Sequence, residues 1–160
     1  MNKLHDVKWQ QRWLQKAHEI AAWSKDSVQV GAMVVDDNNN IRGFGYNGIP
    51  RNLDDEDPLR NIKPLKAWFW EHAERNVIYS AARTGVSIEN CTMFVTHWPC
   101  CDCSRGIIQS GIRCVIVDAA CLDPQGVFWP RWQPQIETSQ VMFAEAGISS
   151  LAIHLPALIA

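Results

Sequence analysis

The sequence predicts an α/β fold in which a mixed sheet carries helices on its faces. Apolar residues recur every three or four positions in some segments, as in helices, and form short valine- and isoleucine-rich runs in others, as in strands. In the second half of the chain the two kinds of segment alternate, which is typical of a sheet covered by helices. Gly85, Gly111 and Gly147 each follow a helical pattern, at the position where a left-handed C-cap is favoured.

Length and composition indicate one domain with one core. The chain has 160 residues, of which 47% are hydrophobic and 20% are charged, and we treat residues 1–160 as a single domain. The net charge of -2 provides no basic field that would attract a polynucleotide. The chain shows neither an apolar run long enough for a bilayer nor the apolar centre of a signal peptide. We therefore expect a cytoplasmic protein that binds no polynucleotide and no membrane.

The first half of the chain predicts a helix followed by a hairpin. Apolar residues spaced by three and four predict a helix over residues 4–24. Apolar runs at residues 28–35 and 41–46 flank the turn sequence DDNNN, and together they predict two paired strands. Residues 47–66 are polar and contain three prolines, so we expect a long surface loop there. The acidic patch at residues 54–57 is interpreted as a solvated surface.

The second half of the chain predicts three helices and three strands. Helices are expected at residues 72–84, 100–110 and 138–146, and strands at residues 91–97, 114–117 and 150–154. A loop rich in proline and tryptophan is expected at residues 119–134. The resulting order, αββαβαβαβ, implies a mixed sheet with helices on its faces.

Two short motifs carry the chemistry, namely HAE at residues 72–74 and PCCDC at residues 99–103. Each opens a predicted helix, and the exposed N–H groups at a helix N-terminus lower the pKa of a thiol. Cys100 and Cys103 are spaced i, i+3 and therefore share a helix face. Together with His72 they provide three ligands for zinc and leave the fourth tetrahedral position open to water, which is typical of a catalytic site.

The acid of the first motif, Glu74, is not needed as a ligand. Zinc lowers the pKa of a bound water to about 7, and a neighbouring carboxylate can take that proton and pass it to a substrate nitrogen. The sequence thus predicts one catalytic zinc ion and a hydrolytic reaction in which Glu74 is the proton shuttle. The pairing of the two motifs is typical of nucleobase deamination.

Other interpretations of these residues remain open. Cys101 could replace Cys100 as a ligand, although i, i+2 spacing to Cys103 does not place two side chains on one helix face. The C-x-x-C spacing could be a redox pair or half of a structural zinc site, for which His97 is the one nearby fourth ligand. A zinc-stabilised binding module without turnover would need that fourth protein ligand and would have no use for Glu74.

With these motifs in place, the chain resembles the zinc-dependent cytidine and deoxycytidylate deaminase superfamily, and within it most closely the deoxycytidylate (dCMP) deaminases. The likeness extends from about residue 10 to residue 150. It rests on the two motifs and on four further stretches: SKD at residues 24–26, QVGA at 29–32, GYNGIP at 45–50 and QSGI at 109–112. The resemblance implies a cytidine-deaminase-like three-layer αβα fold with a five-stranded mixed sheet. The implied reaction is hydrolysis of dCMP to dUMP and ammonia.

The resemblance also implies the substrate contacts. Asn47 would bind the sugar hydroxyl, and the Ala73 backbone N–H would hold the pyrimidine carbonyl. Ser24 would contact the 5′-phosphate, and Arg131 is a second candidate for that contact because a guanidinium suits bidentate phosphate binding. Family members are oligomers, so a homo-oligomer is expected, and some bind a nucleoside triphosphate effector near the GYNG loop.

The resemblance leaves the substrate open between dCMP and another base. Free cytidine, a modified nucleotide and an adenosine in tRNA are alternatives, and the absence of a basic face argues against tRNA. Residues 51–71 contain neither cysteine nor histidine, so we expect one zinc ion and no second structural site. The aromatic residues Trp68, Phe69 and Trp70 are interpreted as core or subunit interface, whereas for Trp98 a wall of the substrate site is an equal alternative.

Overall fold

The computed structural model describes residues 6–156. Within them, four α-helices and five strands follow one another in the predicted order, and a fifth, short α-helix precedes the HAE motif. The helices are α1 (Val7–Ala21), α2 (Leu65–Phe69), α3 (Ala73–Thr84), α4 (Cys101–Gln109) and α5 (Phe128–Glu145). The strands are β1 (Gly31–Val35), β2 (Ile41–Tyr46), β3 (Thr92–Val95), β4 (Cys114–Asp118) and β5 (Ser149–Ile153). The predicted start of the first helix at residue 4 lies outside the described residues.

The five strands form one mixed sheet in the order β2-β1-β3-β4-β5. Strand β1 is antiparallel to both of its neighbours, β2 and β3, whereas β3, β4 and β5 run parallel to one another. Each parallel step uses a helix as its connection, α4 between β3 and β4 and α5 between β4 and β5, as a crossover requires. The predicted α/β class with a five-stranded mixed sheet is confirmed.

Alternation along the strands divides the core into two layers. Successive side chains of a strand point to opposite faces, so Met33 and Val35 pack with α1 on one side of the sheet. Ala32 and Val34 face the other side, where the apolar residues of α3, α4 and α5 pack. Both faces of β1, β3 and β4 are therefore covered, which explains why these strands read as continuous apolar runs. None of the helices within residues 6–156 is both long and apolar enough to span a lipid bilayer.

The first predicted strand begins three residues later than expected. Residues 28–30 are held by the Asn47 side chain, which accepts a hydrogen bond from the Val30 N–H and donates one to the Val28 carbonyl. These backbone groups are thereby removed from strand pairing, and β1 begins only at Gly31. An apolar pattern alone does not distinguish a strand from an extended segment that is tied to a side chain.

The prediction of a long surface loop over residues 47–66 was partly wrong. A 3-10 helix forms at Pro58–Asn61, and α2 begins at Leu65. The acidic patch is exposed, but its carboxylates have partners: Lys25 lies between Asp55 and Glu56. These ion pairs connect the segment to the turn between α1 and β1.

The prediction of a loop over residues 119–134 was wrong for its second half. Helix α5 begins at Phe128 and continues through Pro134 to Glu145. Pro130 falls in the first turn, where a missing N–H has no consequence, and Pro134 removes a single internal hydrogen bond. The helix persists because one side of it packs on the core and on the neighbouring aromatic rings. The residues on that side are Phe128, Trp132, Ile136, Ser139 and Phe143, which have helical spacing.

A close backbone approach at Gly45 sets the position of α3, the helix that follows the HAE histidine. A Cβ atom at Gly45 would lie 2.8 Å from both the Ala73 carbonyl oxygen and the Val77 nitrogen. We expect Gly45→Ala to lower the free energy of unfolding by about 1 to 3 kcal/mol, since α3 would have to move away from β2. Urea denaturation measures the change.

The matched control is Gly48→Ala, where a new Cβ would meet only the Tyr46 ring at an ordinary 3.7 Å. This variant should remain within about 0.5 kcal/mol of the parent. Equal stability of the two variants would contradict the packing described for α3.

Candidate metal centre and cavity

Three potential metal ligands meet where α3 and α4 begin. The Nδ1 atom of His72 lies 3.5 Å from Cys100 Sγ and 3.4 Å from Cys103 Sγ. All three ligand atoms lie within 4.8 Å of one another. Zinc with Zn–N near 2.0 Å and Zn–S near 2.3 Å in tetrahedral geometry would separate N and S by roughly 3.5 to 3.6 Å. The spacing of these atoms therefore fits a zinc ion.

Helix boundaries explain why the three side chains converge. His72 is the N-cap of α3 and Cys100 is the N-cap of α4, both with extended backbone and without a side-chain capping bond. Cys103 lies in the first turn of α4 and is fully buried. The two helices contact each other on one face of the sheet, so their N-termini bring an imidazole and two thiols together.

The three ligand side chains hydrogen bond to one another, and these contacts shift their pKa values. The Cys103 thiol and the His72 imidazole both hydrogen bond to Cys100, and in that order they lower the pKa of Cys100 to about 4 against the effect of burial. The same contact with Cys100 raises the pKa of Cys103, and burial raises it further. The hydrogen bond to Cys100 also raises the pKa of His72 to about 8. The thiolate form of Cys100, the form in which a cysteine binds zinc, is therefore favoured by its two neighbours.

Glu74 lies at this centre without completing it as a ligand. Its side chain is buried, with 3% of its surface exposed, and it lies on the wall of the same cavity. Burial raises the pKa of Glu74, while the positive charge of His72 opposes that shift. Within the described residues the ligand group has three members, and neither Glu74 nor His97 belongs to it.

The cysteine next to the cluster points elsewhere. The Cys101 thiol donates to the Gln135 carbonyl at 3.5 Å, so its sulfur lies toward α5. Cys101 is half-buried, whereas Cys100 and Cys103 are buried. The geometry brings together the two cysteines spaced i, i+3, as the sequence analysis expects.

A cavity of about 530 Å³ opens next to the three ligands. Its wall includes Ala73, which is fully buried and whose N–H has no acceptor among the described residues. The N–H groups of a helix's first turn have no intrahelical acceptor, so this one is available to a ligand carbonyl. The volume lies within the range that is usual for small-molecule sites.

Two residues predicted to contact substrate are engaged in internal hydrogen bonds. Asn47 lies on the cavity wall, but its amide donates to Asp26 and Val28 and its oxygen accepts from Val30. Ser24 is buried, donates its hydroxyl to the Asn47 carbonyl oxygen at 2.7 Å, and does not line the cavity. The structure brings Ser24 behind Asn47 and not to the cavity surface.

Basic residues also line the cavity. Arg131 lies over the Trp132 ring at 5.7 Å, and neither it nor Lys63 has an anionic partner among residues 6–156. Lys66, in contrast, forms an ion pair of 2.5 Å with Asp26. The sequence analysis identified Arg131 but missed both lysines, because residues 47–66 were expected to form a surface loop.

Aromatic side chains complete the wall, and the sequence analysis identified only some of them. The Trp132 ring contacts His72 edge-on at 6.2 Å, and the Phe128 ring stacks on Trp132 at 5.9 Å. Trp70 also lines the cavity, whereas Trp68 is 73% exposed and does not. The helical spacing of residues 128 and 132 was the signal that could have placed the α5 aromatics here.

Trp98 lies on the cavity wall and is fixed by a buried polar chain. Its indole N–H donates to Ser139 Oγ at 3.1 Å, and Ser139 Oγ lies 2.7 Å from Ser104 Oγ. Ser104 in turn donates to the Cys100 carbonyl oxygen at 2.9 Å. These hydrogen bonds connect α5, the cavity wall and the turn that carries a metal ligand. Trp98 is 6% exposed and also belongs to the buried core, so both the wall and the core interpretation apply to it.

The fold and the three-ligand cluster define a zinc-binding deaminase. Residues 7–119 match the family described as the cytidine and deoxycytidylate deaminase zinc-binding region. The chain belongs to this family. The resemblance stated from the sequence is thereby confirmed, as is zinc as the metal that the domain binds.

Two related proteins match more than two thirds of this chain. An uncharacterized deaminase in the luxG 3′ region of Aliivibrio fischeri is 41% identical over 144 residues, which cover 88% of this chain and 90% of that protein. Human deoxycytidylate deaminase is 37% identical over 116 residues, which cover 69% of this chain. The match spans 64% of the human protein, less than two thirds of its length.

A solved structure shows the same fold. The dCMP deaminase of the cyanophage S-TIM5, crystallised in complex with dCMP and dUMP, superposes with a TM-score of 0.69. The superposition covers 92% of this chain and 98% of the phage chain, at 24% sequence identity. This likeness extends the confirmation of the cytidine-deaminase-like architecture to nearly the whole chain.

Proposed function

We propose that this protein, acting as one deaminase domain, hydrolyses dCMP to dUMP and ammonia. The observation that carries the proposal is the cluster of His72, Cys100 and Cys103, of which His72 and Cys100 line a nucleotide-sized cavity together with the buried acid Glu74. Membership of the deaminase family supports the reaction type. The relatives named deoxycytidylate deaminase support the choice of substrate.

In this proposal His72, Cys100 and Cys103 hold the zinc ion. The bound metal supplies Lewis acidity, which makes water nucleophilic near neutral pH. Glu74 would take one proton from the attacking water and give it to the pyrimidine ring nitrogen as the new carbon–oxygen bond forms. It would then take the second proton of that water and give it to the amino group, so that the carbon–nitrogen bond breaks and ammonia leaves. Its burial supports this role, because a raised pKa brings a carboxyl closer to the pH at which it must both accept and donate.

The rest of the cavity positions the nucleotide. The unpaired N–H of Ala73 donates to the pyrimidine carbonyl oxygen, as the resemblance implies. Arg131 and Lys63 are cations without an anionic partner among the described residues, and they attract the 5′-phosphate. Asn47 presents its remaining oxygen lone pair to the sugar hydroxyl, while Ser24 acts on the phosphate only through the turn that it supports. Self-association and effector binding stay predictions from the resemblance.

A substrate panel tests the proposal. We expect kcat/KM for dCMP to exceed that for deoxycytidine by about tenfold or more, because a charge-assisted contact to phosphate is lost with the nucleoside. Ammonia release is measured with purified zinc-loaded protein on dCMP, deoxycytidine, cytidine, dAMP and a tRNA. Preference for free cytidine or for tRNA adenosine would overturn the dCMP assignment, and no turnover of any of them would overturn the enzymatic function.

A further inference from the structure

One titratable group of the cavity wall has no role in the reaction as described above. His97 follows β3 and its ring packs against Phe128 with 4.6 Å between centroids. Phe128, Trp132 and His72 continue the row of contacting rings toward the metal ligands. His97 therefore lies on the same wall as the metal centre, separated from it by two aromatic side chains.

Hydrogen bonds assign the tautomer of His97. The Gly31 N–H donates to Thr96 Oγ1 at 3.2 Å, and Thr96 Oγ1 lies 3.0 Å from His97 Nδ1. Thr96 is buried, and within residues 6–156 its hydroxyl proton has no acceptor other than this nitrogen. The hydroxyl must therefore donate to Nδ1, since a buried polar hydrogen without an acceptor is costly. Nδ1 is then unprotonated, and the ring proton is on Nε2.

The Nε2–H group remains available. No group in the described part of the chain hydrogen bonds to it, and His97 is half-buried. Nε2 has no hydrogen-bond partner among the described residues, but it is not fully enclosed, so part of its surface is accessible. Because His97 lines the cavity, that surface is available to a bound molecule.

The ring is uncharged under working conditions. Burial lowers the pKa of His97 to about 4, and the nearby His18 on α1 lowers it further, against the opposing charge of Asp118 on β4. His18 and Asp118 pair with each other at 2.8 Å. A neutral ring keeps its tautomer, and Nε2 is a donor only.

We propose that His97 is a substrate-binding residue, whose Nε2–H donates a hydrogen bond to an acceptor oxygen of the bound nucleotide while Thr96 holds the ring in the required tautomer. This role of His97 rests on the proposed function, to which it adds a contact that determines substrate specificity. The acceptor is either a phosphate oxygen or an oxygen of the nucleoside.

Two matched substitutions separate this contact from a structural role. Glutamine places an amide N–H near the position of Nε2, whereas asparagine reaches only the position of Nδ1 and can still bond to Thr96. We expect His97→Asn to raise KM for dCMP by about 3- to 10-fold with kcat changed much less, and His97→Gln to recover most of that loss. Equal KM values for the two variants, or a fall in kcat without a change in KM, would overturn the proposal.

Nitrogen NMR of the zinc-loaded protein tests the tautomer directly. In protein with ¹⁵N-labelled histidine, the signals that disappear in His97→Gln should show a protonated Nε2 and an unprotonated Nδ1. Addition of the product dUMP, which is not turned over, should shift the Nε2–H proton downfield. A ring protonated on Nδ1, or a signal unmoved by saturating dUMP, would contradict the inference.

The two possible acceptors give different results. If the acceptor is a phosphate oxygen, dUMP shifts the signal and deoxyuridine does not; if it is a nucleoside oxygen, both shift it. Failure of the proposed function is recognised separately, because the parent protein would then not deaminate dCMP at all. If the parent protein turns over dCMP and His97→Asn has a normal KM, the proposed role of His97 is refuted while the proposed function stands.

Discussion

Glu74→Gln is expected to lower kcat for dCMP by about 10²- to 10⁴-fold, the range that positioned acid–base groups contribute. Glutamine has nearly the same shape as glutamate but cannot accept a proton and return it. The three ligands do not include Glu74, so zinc content should remain near one ion per chain. Steady-state kinetics and metal analysis on the same preparation measure both quantities.

The fold should survive this substitution. Burial raises the pKa of Glu74, which means that folding of the metal-free chain disfavours its ionised form relative to the unfolded chain. A neutral amide removes that unfavourable charge, so the melting temperature of metal-free Glu74→Gln should be no lower than that of the parent. A loss of activity accompanied by unfolding would therefore not support the proposed role.

Asp102→Asn is the matched control. Asp102 also lines the cavity, but its side chain is 59% exposed and pairs with Arg75 and Arg105. Conversion of this carboxylate to an amide should change kcat by less than about threefold, because a loss of exposed ion pairs is worth little. Activity in Glu74→Gln equal to that in Asp102→Asn would contradict the proton-shuttle mechanism.

Much of the fold was predictable because local signals agreed with tertiary packing. Helix α3 begins and ends where expected, with His72 at its N-cap and Gly85 in the left-handed conformation at its C-cap. Strand β2 also has its predicted bounds. These elements have a clear periodicity and a clear stop signal, and the surrounding structure reinforces both.

The errors arose where one strong signal hid a weaker one. Pro130 and Pro134 predicted a loop, although Phe128, Trp132 and Ile136 at i, i+4 spacing indicated a helix face. The aromatic packing of that face outweighs one missing backbone hydrogen bond. The same error removed Phe128 and Trp132 from the predicted cavity wall.

The metal cluster was predictable from spacing, but the substrate contacts were not. The i, i+3 spacing of Cys100 and Cys103 is sequence-local, and the pairing of this motif with the HAE motif indicated His72 as the third ligand. The cavity, in contrast, combines residues from distant segments, and the orientation of Asn47 in it depends on hydrogen bonds that no local pattern encodes. The sequence analysis considered His97 only as a fourth zinc ligand. In the structure its Nδ1 is hydrogen-bonded to Thr96.

Cys100→Ala is expected to remove zinc binding and the stability that depends on it. The two remaining ligands cannot hold the ion against competing chelators. A metal that binds the folded but not the unfolded chain stabilises the fold by its binding free energy, so this stability is lost as well. The melting temperature of the parent protein should fall by about 5 °C or more when a strong chelator is added. The Cys100→Ala protein should melt at the lower temperature with or without chelator, and its zinc content should be close to zero.

Cys101→Ala separates this effect from the loss of any thiol. The two residues are adjacent, but the Cys101 sulfur contacts the Gln135 carbonyl and not His72. We expect Cys101→Ala to retain one zinc ion and a chelator-sensitive melting temperature. The opposite pattern, with zinc lost from Cys101→Ala and kept in Cys100→Ala, would mean that Cys101 is the ligand. Retention of zinc by both variants would contradict the three-ligand centre, and with it the open coordination position on which hydrolysis depends.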